Sequence, residues 1–314
     1  MKLKRSLFYA KILLFGEYGI IEDSMGLSIP FNKFNGALKI DDRNDAFSQR
    51  SNEDIREFYQ YLCTLKQENE LQCQIDFDAL WLDIENGLYF DSSIPQGFGV
   101  GSSGALVASI YDKYCTDKVT VEQHQKGDEI LALKQIFSKL ESFFHGKSSG
   151  LDPLICYLNL PVLIKSKTNL DTVGLPTPNE NGKGAIFLMD SGLPGQTQSM
   201  VSIFLEKCKS EGFRHLIKHQ FKKYNDECID AFLKKDFKPL FSSLKKLSQL
   251  VYDNFSPMIP DNYKKLWKDG IESNSYYLKL CGSGGGGFIL GFTEDYELAA
   301  EKLKTQQLQV IYKF

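Results

Sequence analysis

The chain has 314 residues, 42% of them hydrophobic and 25% charged, which is enough to bury the core of one large or two medium domains. Its 37 basic and 40 acidic residues give a formal net charge of −3, which excludes the broad positive field that recruits nucleic acid or an anionic membrane. No stretch approaches 18 uncharged apolar residues, so the sequence predicts no membrane span, and we expect a cytoplasmic protein.

The first part of the chain alternates short apolar runs with turns, a pattern that predicts strands. The predicted strands cover residues 7–15, 26–30, 36–40 and 87–92. A polar, periodic stretch predicts a helix over residues 53–68. A glycine-rich segment follows the last of these strands, and two apolar helices are predicted after it, from residue 105 and over residues 128–144.

Residues 172–184 carry the densest turn signal, and we interpret them as the junction between two domains, residues 1–180 and 181–314. Beyond the junction the pattern predicts a strand at 185–189 and three or four helices between 197 and 273. Two strands at 276–281 and 288–292, a helix at 295–305 and a strand at 309–314 complete the chain. The predicted fold class is therefore α+β with two domains.

The seven cysteines are scattered through apolar runs without a CxxC pair. This distribution is typical of reduced thiols in a cytosolic core. We expect neither a disulfide framework nor a zinc site.

The most informative motif is the run from Gly97 to Ser103, which lies between a predicted strand and a predicted helix. Glycines at every second position let several backbone N–H groups face one anion, and the start of the helix adds partial positive charge. The run lacks the Lys-Ser/Thr of a Walker A loop and the acidic residue of a dinucleotide fingerprint. It predicts a phosphate site, although a serine that caps a helix after a flexible turn is an alternative.

Two carboxylates, Glu141 and Asp152, bracket a tight turn after the second predicted helix. Phosphoryl transfer to an alcohol needs a metal that binds the charged oxygens and a carboxylate near the attacking hydroxyl. One acid cannot comfortably serve both, and this segment supplies two. The structural alternatives are an exposed helix charge for Glu141, a helix-dipole partner for Asp152 and a turn residue for His145. Lys11, inside an apolar strand, needs a negative partner, and Glu17 is a local candidate.

A second glycine run, Gly282 to Gly287, separates two predicted strands near the end of the chain. A hairpin turn needs only two such residues, so this run predicts a close backbone approach, either to phosphate or to the first glycine run.

Three of these segments resemble the signatures of the GHMP kinase superfamily and occur in its order along the whole chain. They are the residues from Lys11 to Tyr18, from Pro95 to Ala105 and from Gly282 to Gly287. The resemblance implies an N-terminal domain like ribosomal protein S5, a ferredoxin-like C-terminal domain and a site in the cleft between them.

The acidic segment from Glu141 to Asp152 looks like the version found in the mevalonate kinase branch. The resemblance implies that Ser103 and Glu141 bind Mg²⁺, that Asp152 is catalytic and that Lys11 keeps it ionised. It also implies that ATP contacts Ser92 and the residues Gly97, Phe98, Gly99, Val100, Gly101, Ser102 and Ser103. We expect the acceptor near Glu17, Tyr18, His145, Thr197 and Gly284.

The implied function is ATP- and Mg²⁺-dependent phosphorylation of the primary hydroxyl of mevalonate. Three departures concern the acceptor: Tyr18 replaces the usual His, Pro153 replaces the Asn that usually follows the aspartate, and Ser148 replaces a common proline. Phosphomevalonate kinase, or another small-molecule kinase of the superfamily, is the alternative. A catalytically silent ligand sensor is a further alternative function. The sequence leaves open whether the chain forms a homodimer.

Overall fold

The computed structural model describes residues 6–41, 43, 45–119, 127–195 and 197–314, without the side chains of residues 197 and 198. The chain forms two compact units. Unit one takes in residues 1–11, 30–95 and 101–160, and unit two takes in residues 12–29, 96–100 and 161–314. The sequence-based boundary at residue 180 stays a prediction.

Unit one is a set of helices beside a short antiparallel strand pair. Its helices are α1 (Ala46–Gln67), α2 (Phe77–Glu85), α3 (Ser102–Tyr114), α4 (Gly127–His145) and α5 (Leu151–Leu158). Strand β1 (Phe8–Phe15) begins in this unit, and the end of β2 (Gly26–Lys39) pairs with β3 (Tyr89–Ser92), with Gly36 opposite Ser92.

Helix α1 begins seven residues before its predicted start because the side chain of Asp45 accepts a hydrogen bond from the Ser48 amide at 2.8 Å. The first turns of α1 are polar and lack apolar residues at helical spacing. The sequence predicts an apolar face of Phe58, Tyr61, Leu62 and Leu65. Phe58, Leu62 and Leu65 are buried together with Ile55, whereas Tyr61 is half-buried.

The core of unit one lies where α3, α4 and α5 pack together. The Tyr111 ring meets the Phe137 ring edge-on at 5.0 Å between centroids, and Tyr157 packs against both. These rings come one from each helix, so they fix the three helices against one another. The arrangement brings the starts of α3 and α5 to the C-terminal half of α4.

Unit two contains a four-stranded antiparallel sheet. Its strands are β6 (Ala185–Asp190), β7 (Tyr277–Leu280), β8 (Phe288–Thr293) and β9 (Leu308–Lys313). Their order in the sheet is β7-β8-β6-β9. Helices lie between β6 and β7 in sequence, and one helix lies between β8 and β9. This βαββαβ order is that of a ferredoxin-like domain. A second set of pairings joins the start of β2 to β4 (Val162–Ser166) and β4 to β5 (Asn169–Thr172).

The helices of unit two are more numerous than the sequence predicted between residues 197 and 273. They are α6 (Thr197–Lys207), α7 (Glu211–Leu216), α8 (Lys222–Leu233), α9 (Phe237–Asn254) and α10 (Asp261–Ser273), with α11 (Tyr296–Lys302) later in the chain. A single π turn at Ile217–Phe221 joins α7 to α8 without a break in the apolar pattern, so the sequence did not reveal that boundary.

The predicted α+β class is confirmed, and all seven cysteines are free thiols. The two strands predicted at residues 26–30 and 36–40 form one strand, β2, whose two ends have different partners. Among the described residues, no helix combines the length and hydropathy needed to cross a membrane.

Candidate active site

The first glycine run turns the chain into the start of α3. Gly97, Gly99 and Gly101 have φ angles of 78°, 74° and 81°, a left-handed conformation that favours glycine. Gly101 is the N-cap residue of α3, and no side-chain hydrogen bond caps the helix there. The first turn of a helix leaves backbone N–H groups without helical partners and carries partial positive charge. This end of α3 therefore suits an anion.

The start of α5 lies directly against the start of α3. A Cβ atom added to Gly104 would lie 2.7 Å from the carbonyl carbon of Asp152 and from the nitrogen of Pro153. Gly104 is thus required for the close backbone contact between the two helices. The contact places the Asp152 side chain, in the first turn of α5, beside the first turn of α3.

Lys11 and Asp152 form an ion pair with 2.9 Å between Nζ and Oδ1. The lysine side chain is 5% exposed and the aspartate side chain 35% exposed. A Cβ atom on Gly101 would lie 3.0 Å from Cγ of Lys11, so this glycine covers the lysine stem. The buried ammonium holds the carboxylate in place and still leaves part of it accessible to another molecule.

Glu141, on α4, contacts the start of α3 through Ser103. The two side chains are 3.3 Å apart, between Oγ of Ser103 and Oε1 of Glu141, and the hydroxyl of Ser148 donates to the other carboxylate oxygen. Burial raises the pKa of Glu141 to about 8, and the nearby charge of Asp152 adds to the rise. The carboxyl group is therefore largely protonated near neutral pH when no metal ion is bound to it.

His145 is the third group at this point, with Nε2 3.2 Å from Oγ of Ser103. Burial lowers the pKa of His145, so the ring is neutral at neutral pH. The single hydroxyl proton of Ser103 can serve only one of its two neighbours, Glu141 or His145. The hydroxyl oxygen keeps lone pairs for a further ligand.

The pair of Ser103 and Glu141 fits a magnesium ion. Two neighbouring ligands of an octahedral Mg²⁺ ion, each about 2.1 Å from the metal, lie about 3 Å apart. The observed separation of 3.3 Å is close to that value, and both ligand atoms are oxygens. A cation would also stabilise the ionised form of a carboxylate that burial otherwise protonates.

The last glycine run packs against the first one within unit two. A Cβ atom on Gly99 would lie 2.5 Å from the carbonyl oxygen of Cys281, and one on Gly287 would lie 2.7 Å from Cα of Phe98. Of the two uses that the sequence suggested for the last run, approach to the first run is therefore observed. Its approach to phosphate stays a prediction.

Glu17 and Tyr18, expected near the acceptor, are both buried in unit two. Glu17 forms an ion pair with Lys279, and each of these side chains is 1% exposed. The Tyr18 hydroxyl donates to the carbonyl of Ser283. Lys11 and Glu17, which the sequence offered as local partners, thus each pair with a residue distant in the chain.

The remaining predicted residues lie at the end of a strand, within the first glycine run and at the start of a helix. The Ser92 hydroxyl, at the end of β3, accepts from the Ile94 amide at 3.1 Å. Val100 is buried, and the Phe98 ring meets Phe288 edge-on at 5.1 Å. Thr197 begins α6, but its side chain lies outside the described residues.

Gly284, the last of the predicted acceptor residues, has a φ angle of 72°. A Cβ atom there would lie 2.5 Å from the carbonyl oxygen of Met258. On the side where a side chain would start, Gly284 therefore packs against the backbone at Met258.

Two features escaped the sequence reasoning. Ser148 and Lys279 are the partners of the two buried acids, and their roles depend on contacts that sequence spacing does not show. His215 and His219 stand at HxxxH spacing, with ring centroids 4.2 Å apart. Their spacing was visible in the sequence, but no group of three or more metal-ligating side chains exists among the described residues.

Comparisons with known proteins identify structures with a similar fold. No protein-family model and no curated protein matches the sequence. Solved structures match it over nearly its whole length, with low sequence identity.

Three of these structures have bound small molecules. L. major mevalonate kinase in complex with R-mevalonate has a TM-score of 0.61 and 13% identity, covering 96% of this chain and 91% of that one. Streptococcus pneumoniae phosphomevalonate kinase with phosphomevalonate and AMPPNP has a TM-score of 0.63 and 14% identity, covering 99% of both chains. Lactococcus lactis galactokinase complexed with galactose has a TM-score of 0.66 and 13% identity, covering 99% of this chain and 94% of that one.

The chain therefore has the two-domain α+β fold of the GHMP kinases. Within that fold it is similar to mevalonate kinase, phosphomevalonate kinase and galactokinase alike.

Proposed function

We propose that this chain is an ATP-dependent small-molecule kinase that transfers the terminal phosphoryl group to an alcohol. The observation that carries the proposal is the cluster in unit one. There the Lys11–Asp152 ion pair and the Ser103–Glu141 pair meet at the starts of two helices. An anion-binding helix start, an accessible carboxylate and a pair of oxygen ligands are the parts that phosphoryl transfer requires.

In the proposed complex the phosphates of ATP bind the residues from Gly97 to Ser103, at the start of α3. Ser103 and Glu141 would hold Mg²⁺, and the chemistry that a bound Mg²⁺ supplies there is neutralisation of charge on the phosphate oxygens. Ser148 donates to Glu141 and fixes the orientation of its carboxylate. Glu141 can act as a ligand only in its ionised form. Burial holds its pKa at about 8 in the free protein, so it must first lose a proton.

Asp152 would orient the acceptor hydroxyl and receive its proton. Its side chain is the more exposed member of the pair with Lys11, so it can reach a second molecule. Because the transition state of phosphoryl transfer is loose, positioning of the hydroxyl contributes more than its deprotonation. Lys11 pairs with Asp152 and places a positive group near the transferred phosphoryl oxygens.

Mevalonate is the acceptor that we propose first. The acidic segment from Glu141 to Asp152 supports it, and a structural neighbour is a mevalonate kinase with bound R-mevalonate. The first signature, which ends in Gly-Glu-Tyr at Tyr18, resembles that of phosphomevalonate kinase and instead supports phosphomevalonate, which is bound in the Streptococcus pneumoniae neighbour. The overall fold does not discriminate, because a galactokinase matches with a similar TM-score.

The acceptor is tested by steady-state ADP release with Mg·ATP and four acceptors: mevalonate, phosphomevalonate, galactose and homoserine. We expect mevalonate to give the highest kcat/KM. A higher kcat/KM for phosphomevalonate would change the proposed acceptor but would leave the proposed kinase activity intact. ADP release at the same rate with and without every acceptor would contradict the proposed function.

A further inference from the structure

Unit two contains an ion pair that is sealed from solvent. The carboxylate of Glu17 meets the ammonium of Lys279, and both side chains are 1% exposed. The ammonium also lies 5.6 Å from the centre of the Phe15 ring. Desolvation offsets much of the attraction in such a pair, so net stability alone is a weak reason for its presence. A better reason for the ion pair is a specific arrangement of the chain that depends on it.

Tyr18, the next residue, connects to the same part of the chain. Its φ angle is 59°, an unusual conformation for a bulky residue, and its ring stacks on Phe204 with centroids 4.6 Å apart. This conformation directs the hydroxyl to the carbonyl of Ser283. Glu17 and Tyr18 therefore hold the chain on two sides of Cys281: at Lys279 before it and at Ser283 after it.

The segment held in this way supports the first glycine run. The carbonyl oxygen of Cys281 lies 2.5 Å from the position that a Cβ atom of Gly99 would take. Farther along the last run, a Cβ atom on Gly287 would lie 2.7 Å from Cα of Phe98. A shift of the last glycine run would therefore move the turn that we propose for ATP phosphates.

We propose that Glu17 and Tyr18 are positioning residues for nucleotide binding: they fix the last glycine run, and through it the turn at Gly97 to Val100. The inference rests on the proposed function. It gives these two side chains a role that differs from direct contact with the acceptor. It also predicts that their loss affects the nucleotide rather than the acceptor.

The Tyr18→Phe variant of the full chain tests the tyrosine. It removes only the hydroxyl that reaches Ser283 and keeps the stacked ring. The matched control is Tyr312→Phe, since the Tyr312 hydroxyl also donates to a backbone carbonyl, that of Pro176, at 2.7 Å. We expect Tyr18→Phe to weaken AMPPNP binding and raise KM for ATP by about tenfold, with KM for the acceptor within about twofold. The Tm of the two variants should be similar.

A rise in the acceptor KM alone would assign Tyr18 to the acceptor site and overturn the inference. Unchanged AMPPNP binding by Tyr18→Phe would also overturn it, without affecting the proposed kinase function. Failure of the wild-type chain to bind AMPPNP would overturn both proposals.

The ion pair is tested with Glu17→Gln, Lys279→Met and the double variant. Each single change leaves one buried group without its partner, whereas the double change removes both charges and should recover much of the lost Tm. If the pair positions the glycine run, the double variant still binds AMPPNP several-fold more weakly than the wild type. Recovery of AMPPNP affinity together with Tm would show that the pair is merely structural and would remove Glu17 from the proposal.

Discussion

Two of the lysine–carboxylate pairs among the described residues have a buried lysine, and these two differ in one decisive respect. In unit one, Lys11 is buried but its partner Asp152 is 35% exposed. In unit two, Lys279 and Glu17 are both 1% exposed. A carboxylate that is held by a buried cation and still reaches solvent can act on another molecule, whereas a sealed one can only hold the chain. The exposure of the acid therefore separates the proposed catalytic pair from the proposed positioning pair.

The largest effect is expected at the accessible acid. Asp152→Asn should lower kcat several hundredfold or more, because it removes the charge that orients the acceptor hydroxyl, and should leave AMPPNP affinity nearly unchanged. The control is Asp171→Asn, whose exposed ion pair with Lys165 has no proposed role in the reaction. Steady-state kinetics and AMPPNP titration measure the two quantities. Near-normal turnover by Asp152→Asn would remove the distinction between the two pairs.

Breaking the sealed pair by removing one partner should cause the largest loss of stability. Lys279→Met leaves Glu17 buried without its cation, so we expect a loss of about 3–5 kcal/mol in the free energy of unfolding. The control Lys165→Met breaks the exposed pair with Asp171 and should cost no more than about 1 kcal/mol. Urea unfolding of both variants measures this difference. Equal losses would show that burial does not set the cost.

Ser103→Ala should weaken the proposed metal site next to the accessible pair. We expect the Mg²⁺ concentration for half-maximal activity to rise about tenfold, since one of two protein oxygen ligands is lost. Thr64→Ala, which removes an exposed hydroxyl on α1, is the control. A Mg²⁺ titration of activity at constant ATP is the measurement. Unchanged Mg²⁺ dependence would exclude Ser103 as a ligand.

A further effect concerns the pH dependence of stability at Glu141. Its pKa is about 8 in the folded protein against an ordinary value of 4.5, so its contribution to stability is lost as pH rises from about 4.5 through 8. Without metal, Glu141→Gln should therefore gain stability relative to wild type between pH 5 and pH 8, by roughly 1–3 kcal/mol.

Urea unfolding in EDTA at several pH values measures this gain. The control is Glu85→Gln, which changes a carboxylate that is half exposed and paired with Arg56. A constant difference between wild type and Glu141→Gln across this range would contradict the raised pKa.

Local patterns predicted much of the fold. The apolar period found α1 and α4, and alternating or continuous apolar runs found β1, β3 and the strands of the four-stranded sheet. The short helix α2 and the strands β4 and β5 were missed, because four to nine residues carry too little periodicity. Chemical types were also readable: Lys11, Glu141 and Asp152 were singled out because charged residues in apolar or turn contexts need a reason.

Pairings between distant residues were beyond local reasoning. Glu17 lies close to Lys11 in sequence, yet each pairs with a remote residue, Lys279 and Asp152. The sequence also did not show that Tyr18 turns away from the usual backbone conformation toward Ser283. These contacts depend on how strands and helices pack, which local spacing does not determine.

Phosphorus NMR of Mg·ATP mixed with the chain and each acceptor tests the central claim most directly, because it shows whether phosphorus becomes bonded to the acceptor. We expect ADP and a new phosphoryl resonance on one acceptor with wild type, and neither at a comparable rate with Asp152→Asn. Binding of AMPPNP without transfer to any of the four acceptors would contradict it and favour a silent sensor.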